Sequence, residues 1–124
     1  MNPKIQAALD FMKDNLDRQL SINDLVFLVQ LSRSRLCHLF KTEVGMAPLQ
    51  YLKYLRMNKA CELLETSLLS VKEIRVKVGY NDDSHFLREF KKAKDLTPSE
   101  YRAQYLLLIL DKRRLERQVK KIRQ

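Results

Sequence analysis

Apolar residues recur along most of the chain at the spacing of amphipathic helices. Near the start they lie on one helical face, in the order Ile5, Ala8, Leu9, Met12 and Leu16. Between Pro48 and Thr66 a longer stripe has the same period, and proline suits the first turn of a helix. No stretch alternates convincingly between apolar and polar residues, as a β-strand would. The pattern predicts an all-α protein of seven helices.

The chain also repeats itself. The segment that begins at Ser21 recurs 49 residues later at Ser70, and after one inserted residue the offset becomes 50. In each copy a carboxylate, Asp24 or Glu73, stands three positions after the serine, which is a capping box that opens a helix. Each copy then holds two short helices separated by a tight turn. The sequence therefore predicts two similar helix pairs, joined by the long helix between them.

The second helix of each pair has an apolar inner face and a polar outer face. Leu36 and Phe40 face inward in the first copy, as Phe86 and Phe90 do in the second. The outer faces carry Arg33, Ser34, Cys37, His38 and Lys41 in the first copy, and Asp83, Ser84, Leu87, Arg88 and Lys91 in the second. A short helix, a tight turn and such a second helix are typical of the helix-turn-helix motif. In that motif the second helix enters the major groove of DNA.

At these residues the sequence resembles the DNA-binding domain of the AraC/XylS family of transcription regulators. The resemblance is strongest at Val71-Lys-Glu-Ile, Val78-Gly-Tyr-Asn-Asp and Thr97-Pro-Ser-Glu-Tyr-Arg, and Leu31-Ser-Arg-Ser-Arg-Leu supports it in the first pair. It implies a homeodomain-like, all-α fold with two helix-turn-helix subdomains on a rigid linker helix. These subdomains would read two successive major-groove segments of double-stranded DNA, with RNA polymerase as a further partner.

We expect four regions along the chain. The first helix-turn-helix subdomain spans 1–47, the linker helix 48–66, the second subdomain 67–105 and a basic helical extension 106–124. Two positions depart from the family's pattern. Arg75 replaces a residue that is usually small, so its side chain either snorkels past the helix contact or loosens the packing. Asp95 replaces a glycine at a helix end, where it tolerates a left-handed backbone better than most residues.

The outer faces offer several kinds of DNA contact. Arg88, in the middle of its helix, has the forked donors that pair with guanine O6 and N7, whereas Lys41 and Lys91 suit phosphates. Asp82 and Asp83, which phosphates would repel, can cap the helix or accept a hydrogen bond from a cytosine amino group. His85 either contacts a phosphate or covers the core. The predicted DNA-binding set is His85 together with the ten outward residues of the two helices.

Charge agrees with a polyanionic partner but does not identify it. The net charge is +9 and the isoelectric point is about 9.7. Residues 111–124 hold seven basic and two acidic side chains, so this end supplies +5 of the total. The tail from Tyr105 to Gln124 also carries apolar residues at helical spacing, namely Leu108, Leu115, Val119 and Ile122. It reads as a solvated extension, as a source of extra phosphate contacts, or as a helix that pairs with another copy.

Other classes of function fit less well. Cys37 and His38 are neighbours on a helix, where side chains diverge by ~100° and chelate one ion poorly, so neither metal nor cofactor is expected. No phosphate-cradling glycine loop and no nucleophile beside a base point to an enzyme. The rival function is a helical adaptor that binds only protein, but its groove would be apolar, whereas these outer faces are mostly polar or basic. RNA binding would call for exposed stacking aromatics, which are not evident.

The expected setting of the protein is the cytoplasm. No apolar run is long enough for a membrane span, the N-terminus lacks the apolar core of a signal peptide, and two cysteines suit a reducing compartment. We expect no membrane partner. The chain reads as a stand-alone regulator or as the C-terminal portion of a longer one. A homodimer would form through the C-terminal extension or through an N-terminal domain outside this sequence.

Overall fold

The computed structural model describes residues 1–123, which form seven α-helices and no strand. In chain order these are α1 Pro3–Asp14, α2 Ile22–Val29, α3 Arg33–Val44, α4 Pro48–Thr66, α5 Val71–Lys77, α6 Asp83–Lys94 and α7 Pro98–Arg123. The prediction of an all-α protein with two similar helix pairs is confirmed. The pairs are α2 with α3 and α5 with α6, and α4 lies between them.

The helices begin where the sequence places polar caps. The backbone N–H of Ser21 donates to Asp24 Oδ2 at 2.8 Å, and that of Ser70 donates to Glu73 Oε1 at 3.1 Å. Both predicted capping boxes are therefore present. Because it accepts hydrogen bonds from Ser70, the pKa of the Glu73 carboxyl is lowered from its usual range. The helices that follow are thereby fixed at their N-termini.

Two separate apolar cores hold the fold together, and α4 contributes to both. The first core packs α1, α2 and α3 around Leu36 and Phe40, with Leu52 from the N-terminal half of α4. The second core packs α5, α6 and the start of α7 around Phe86 and Phe90. The C-terminal half of α4 supplies Met57, Ala60, Cys61 and Leu64 to it. Each helix pair is thus packed against its own half of one continuous helix.

Helix α7 continues without interruption across the expected boundary at residue 105. Its first turns pack on the domain, where Tyr101 meets Phe90 edge-on at 5.8 Å between ring centroids. Ile109 is the last half-buried residue, and all of 110–123 is exposed. Helix α7 therefore extends beyond the packed domain, and this extension carries the basic segment.

Neither expectation for Arg75 matches the structure. Its side chain is buried rather than snorkelling to solvent, and it is held by polar contacts rather than loosely packed. Nη1 donates to the carbonyl of Tyr80 at 2.8 Å, and Nε lies 2.8 Å from Asp83 Oδ1. The sequence argument missed these acceptors because their positions depend on the turn between α5 and α6. Asp95 does adopt the left-handed backbone, with φ of +62°.

Candidate nucleic-acid interface

The outer faces of α3 and α6 present side chains in the same register. On α3, Ser34, His38 and Lys41 are exposed, and on α6 Ser84, Arg88 and Lys91 are exposed at positions 50 residues later. Positions at steps of four and three residues lie on one side of a helix. Both helices therefore offer a small, a central and a C-terminal polar side chain in one row. We call these two rows the outer triads.

The remaining predicted DNA-binding residues on the two outer faces differ in their exposure to solvent. Arg33 is exposed at the first turn of α3, and Leu87 is exposed on α6. Cys37 was expected to be exposed on the outer face, but it is half-buried and lies at the edge of that face. This position is 100° from the centre of the face in projection, as the helical step of ~100° per residue requires.

His85 and Asp83 are exposed, but each also contacts a neighbouring side chain of the second helix pair. The imidazole of His85 meets the Tyr80 ring edge-on at 5.1 Å between centroids, and Nε2 is 3.9 Å from Glu89 Oε1. His85 therefore covers part of the Tyr80 ring, while half of its side chain stays exposed. The Asp83 carboxylate faces Arg75, while the cap of α6 is Asp82, whose Oδ1 accepts from the backbone N–H of His85 at 2.8 Å.

Three exposed residues beside the outer triads were missing from the predicted set. Arg35 and Thr42 on α3, and Lys92 on α6, are all exposed to solvent. Arg35 occupies the position equivalent to His85, and Thr42 the position equivalent to Lys92, by the same 50-residue offset. The offset from His85 would have found Arg35, whereas Thr42 and Lys92 correspond only to each other, so the repeat gave no signal for them.

Paired charges leave α6 with an outer face that is net basic. Glu89, on the flank of α6, lies 2.7 Å from Lys53 Nζ of α4, and this contact lowers the pKa of its carboxyl. Asp83 is paired with Arg75 in the same way. Because both carboxylates of α6 have a cationic neighbour, Arg88 and Lys91 project charge that is not cancelled on their own helix.

Besides the packing of both cores on α4, hydrogen bonds and an arginine–ring contact join the two halves of the molecule. Gln19, in the loop after α1, donates from Nε2 to the carbonyl of Gly79 at 2.9 Å. Arg56 of α4 donates from Nη2 to the carbonyl of Arg18 at 2.8 Å, and its guanidinium lies 5.8 Å from the centre of the Tyr80 ring. We call these five residues the central clasp. Burial lowers the pKa of Arg56 from its ordinary value.

Gly79 is the point of closest approach in the central clasp. Its φ is +89°, and a Cβ at this position would overlap the carbonyl oxygen of Leu16. A glycine is required here both for the left-handed backbone and for the approach of the opposite half. The clasp therefore fixes the turn that precedes α6 against the loop that precedes α2.

Comparison with known proteins agrees with this arrangement. A family model described as a helix-turn-helix domain matches residues 25–104. The lactose operon transcription activator of Staphylococcus xylosus is 36% identical over 102 residues, which are 82% of this chain and 37% of that protein. A transcriptional regulator of Chromobacterium violaceum, described as AraC-type, has a TM-score of 0.75 and 34% identity, and the match covers 83% of this chain and 92% of that one.

A third relative was solved with DNA. The DNA-binding domain of AdpA, a global transcriptional factor, in complex with a target DNA, has a TM-score of 0.78 and 29% identity. That match covers 82% of this chain and 91% of the other. The likeness confirms the homeodomain-like helical arrangement expected from the sequence.

The fold and its paired motifs define a helix-turn-helix DNA-binding protein. Within that class, the chain belongs to the AraC family of transcription regulators. This is a family of DNA-binding regulators rather than of enzymes. The chain spans about a third of the length of the curated relatives it matches, 37% and 36% for two of them. Among residues 1–123 no helix is long and apolar enough to cross a bilayer.

Proposed function

We propose that this chain binds double-stranded DNA through two successive segments of the major groove. Helix α3 enters one segment and α6 the next, on the same face of the duplex. The observation that carries the proposal is the repetition of the outer triads in the same helical register. Successive major-groove segments on one face lie one helical turn apart, about 34 Å or ~10 base pairs. A rigid connection between the two reading helices would suit that fixed spacing.

Within each outer triad we assign different roles to the three positions. Arg88, exposed in the middle of α6, reads a guanine through its forked donors, and His38 takes the equivalent position on α3. Lys41 and Lys91, one turn further along, contact phosphates and set the position of the helix on the backbone. Ser34 and Ser84 are short hydroxyl donors near the N-termini of the helices, where base edges or phosphates come close.

The protein of which this chain is part or whole regulates transcription in the cytoplasm, with RNA polymerase as its partner at the promoter. Support for this comes from family membership and from relatives named as operon activators and regulators. A purely protein-binding adaptor remains less favoured. The outer triads consist of serine, histidine, arginine and lysine, and an adaptor groove would require apolar side chains there.

Site selection from random duplexes tests the proposal. Wild-type protein should enrich a site with two conserved blocks about 10 base pairs apart. The Arg88→Ala variant should lose preference at one base pair of one block, equivalent to ~1–3 kcal/mol, and retain the other block. As a matched control, Lys91→Ala should leave the selected sequence unchanged. It should weaken binding to all duplexes. It should also reduce the slope of the logarithm of the binding constant against the logarithm of the salt concentration by ~1. An unchanged preference in Arg88→Ala would overturn the assignment of that residue.

A further inference from the structure

The exposed half of α7 carries an apolar stripe that has no partner among the described residues. Leu108, Leu115, Val119 and Ile122 are between 48 and 84% exposed. Their successive spacings are seven, four and three residues. In a heptad written abcdefg, this places Leu108, Leu115 and Ile122 at d and Val119 at a. Heptad spacing is the pattern by which helices pair in coiled coils.

The width of the stripe distinguishes between two kinds of partner. At ~100° per residue, the four apolar side chains fall within about 60° of helix circumference. Three further exposed leucines, Leu106, Leu107 and Leu110, lie on other sides of the helix, but all of them precede the basic segment, in which only the stripe is apolar. A helix that lies on a bilayer or against a broad core needs an apolar face of ≳100°, whereas a coiled-coil seam is narrower. The narrow stripe favours a single helix as the partner over a membrane surface.

Two such basic helices would repel each other if their charges faced the seam, but most of these charges lie elsewhere on the helix. Five of the seven basic residues after Leu110 fall at heptad positions b, c and f, which face away from a partner helix: Arg113, Arg114, Arg117, Lys120 and Lys121. Their charges would therefore lie on the outside of a coil and be screened by salt. The arrangement allows two copies to approach along the stripe.

The one basic residue within the seam has a complementary neighbour. Lys112 occupies an a position, between Leu108 and Leu115. In a parallel pair, an a side chain packs into a hole that includes the preceding g residue of the other helix. That residue is Asp111, whose carboxylate in the single chain binds Arg114 at 2.8 Å, an exposed contact of little strength. A parallel pair thus places each Lys112 beside the Asp111 of the other copy.

We propose that residues 108–122 of two copies form a short parallel coiled coil. The seam has five layers, from Leu108 to Ile122, and one of them contains lysine at a. A coil of about two heptads is marginal by itself, so the dimer dissociates readily on dilution. On DNA with two neighbouring sites, the sites hold two copies together and raise their effective concentration. The coil then makes their binding cooperative.

Sedimentation equilibrium of the full chain tests the pairing directly. Wild-type protein should pass from one to two chains per particle across the micromolar to millimolar range. The Leu115→Ala/Val119→Ala variant should weaken association by at least about tenfold. Leu107→Ala is the matched control, because Leu107 is 66% exposed but lies off the stripe, and it should associate as the wild type does. Lys112→Ile should strengthen association, since it replaces the charged layer.

Other outcomes overturn the proposal. Wild-type protein that stays a single chain at the highest concentration would overturn it. A dimer whose association is as strong in the Leu115→Ala/Val119→Ala variant, the stripe variant, as in the wild type would also overturn it. Vesicles of mixed neutral and anionic phospholipid provide a further check. A monomer that binds these vesicles through the stripe would assign it to a membrane surface instead. Each variant is also titrated with a single DNA site, where the proposal expects the stripe variant to bind as tightly as the Leu107→Ala control.

Discussion

The two helix pairs have the same helix-turn-helix arrangement, but different contacts hold their turns. In the first pair the turn begins at Gln30, whose φ is +56° and whose Nε2 donates to the carbonyl of Phe27 at 2.6 Å. Those contacts are local and exposed. In the second pair Arg75 holds the carbonyl of Tyr80 from within, and Gly79 rests on the opposite half of the molecule. A change in the second turn therefore acts on the placement of α6 as well as on its own pair.

This difference has a consequence for DNA binding. A reading helix must be positioned on its own pair and also relative to the other reading helix. The first requirement is met separately by each core, around Phe40 in one half and Phe86 in the other. The second is met by α4 and by the central clasp. The stability of each half therefore depends on its own core, whereas the relative position of the two reading helices depends on α4 and the central clasp.

The largest expected effect is at the closest contact between the halves. Gly79→Ala should destabilise the protein by about 2–5 kcal/mol, because a Cβ is strained at φ +89° and overlaps the Leu16 carbonyl. Gly45→Ala is the matched control, since Gly45 also has a positive φ of +93° but has nothing within 4 Å of a Cβ. It should lose only about 1–2 kcal/mol. Urea unfolding of both variants measures the difference, and equal losses would contradict a tight contact at Gly79.

A smaller effect is expected at the buried arginine of the second turn. Arg75→Met keeps the aliphatic stem but leaves the Tyr80 carbonyl without its donor, so it should lose about 1–3 kcal/mol. Val26→Ala, at the equivalent position of the first pair, is the comparison and should lose less, because Val26 is half-buried and has no polar contact to break. If Arg75→Met were neutral in urea unfolding, the arginine would not stabilise the turn.

The smallest expected effect concerns pH. The pKa values of Glu73 and Glu100 are lowered by hydrogen bonds from their capping residues, and that of Glu89 by Lys53. A lowered pKa stabilises the fold above the carboxyl's unfolded value, and this stabilisation is lost as the pH falls through the folded value. The free energy of unfolding should therefore decrease on acidification below about pH 4.5.

Replacing all three glutamates with glutamine provides the measurement for that pH dependence. Glutamine keeps the capping geometry but does not titrate. The variant should show a shallower loss of stability between about pH 5 and pH 3 than the wild type. Equal slopes in the two proteins would mean that other carboxyl groups cause the acid sensitivity.

Local features of the fold could be predicted from the sequence, whereas contacts between the halves could not. The capping boxes at Ser21 and Ser70 and the inward Phe86 and Phe90 depend on spacings of a few residues, which the sequence displays directly. The hydrogen bond from Gln19 to Gly79 joins residues 60 positions apart. No periodicity connects such residues, because the contact results from the angle at which each pair packs on α4.

The same division between local features and contacts that depend on packing applies to the candidate site. The outer triads follow from the repeat and from helical geometry, and all six of their side chains are exposed as expected. The sequence could not show that Asp83 turns to Arg75 or that His85 packs on Tyr80, because both contacts depend on the turn between α5 and α6. Asp83 was placed in the DNA-binding set for its position on the outer face, and His85 for a contact with phosphate.

The most direct test of the central claim is to change the spacing between the two halves of the DNA site. With a selected site in hand, five base pairs are inserted between its two conserved blocks, which rotates one block by about half a helical turn. Affinity should fall to that of a duplex containing one block, because α4 and the central clasp join the half that carries α3 to the half that carries α6. The same insertion outside the site should have no effect. Unchanged affinity for the duplex with the internal insertion would contradict bipartite reading by a rigid pair of helices.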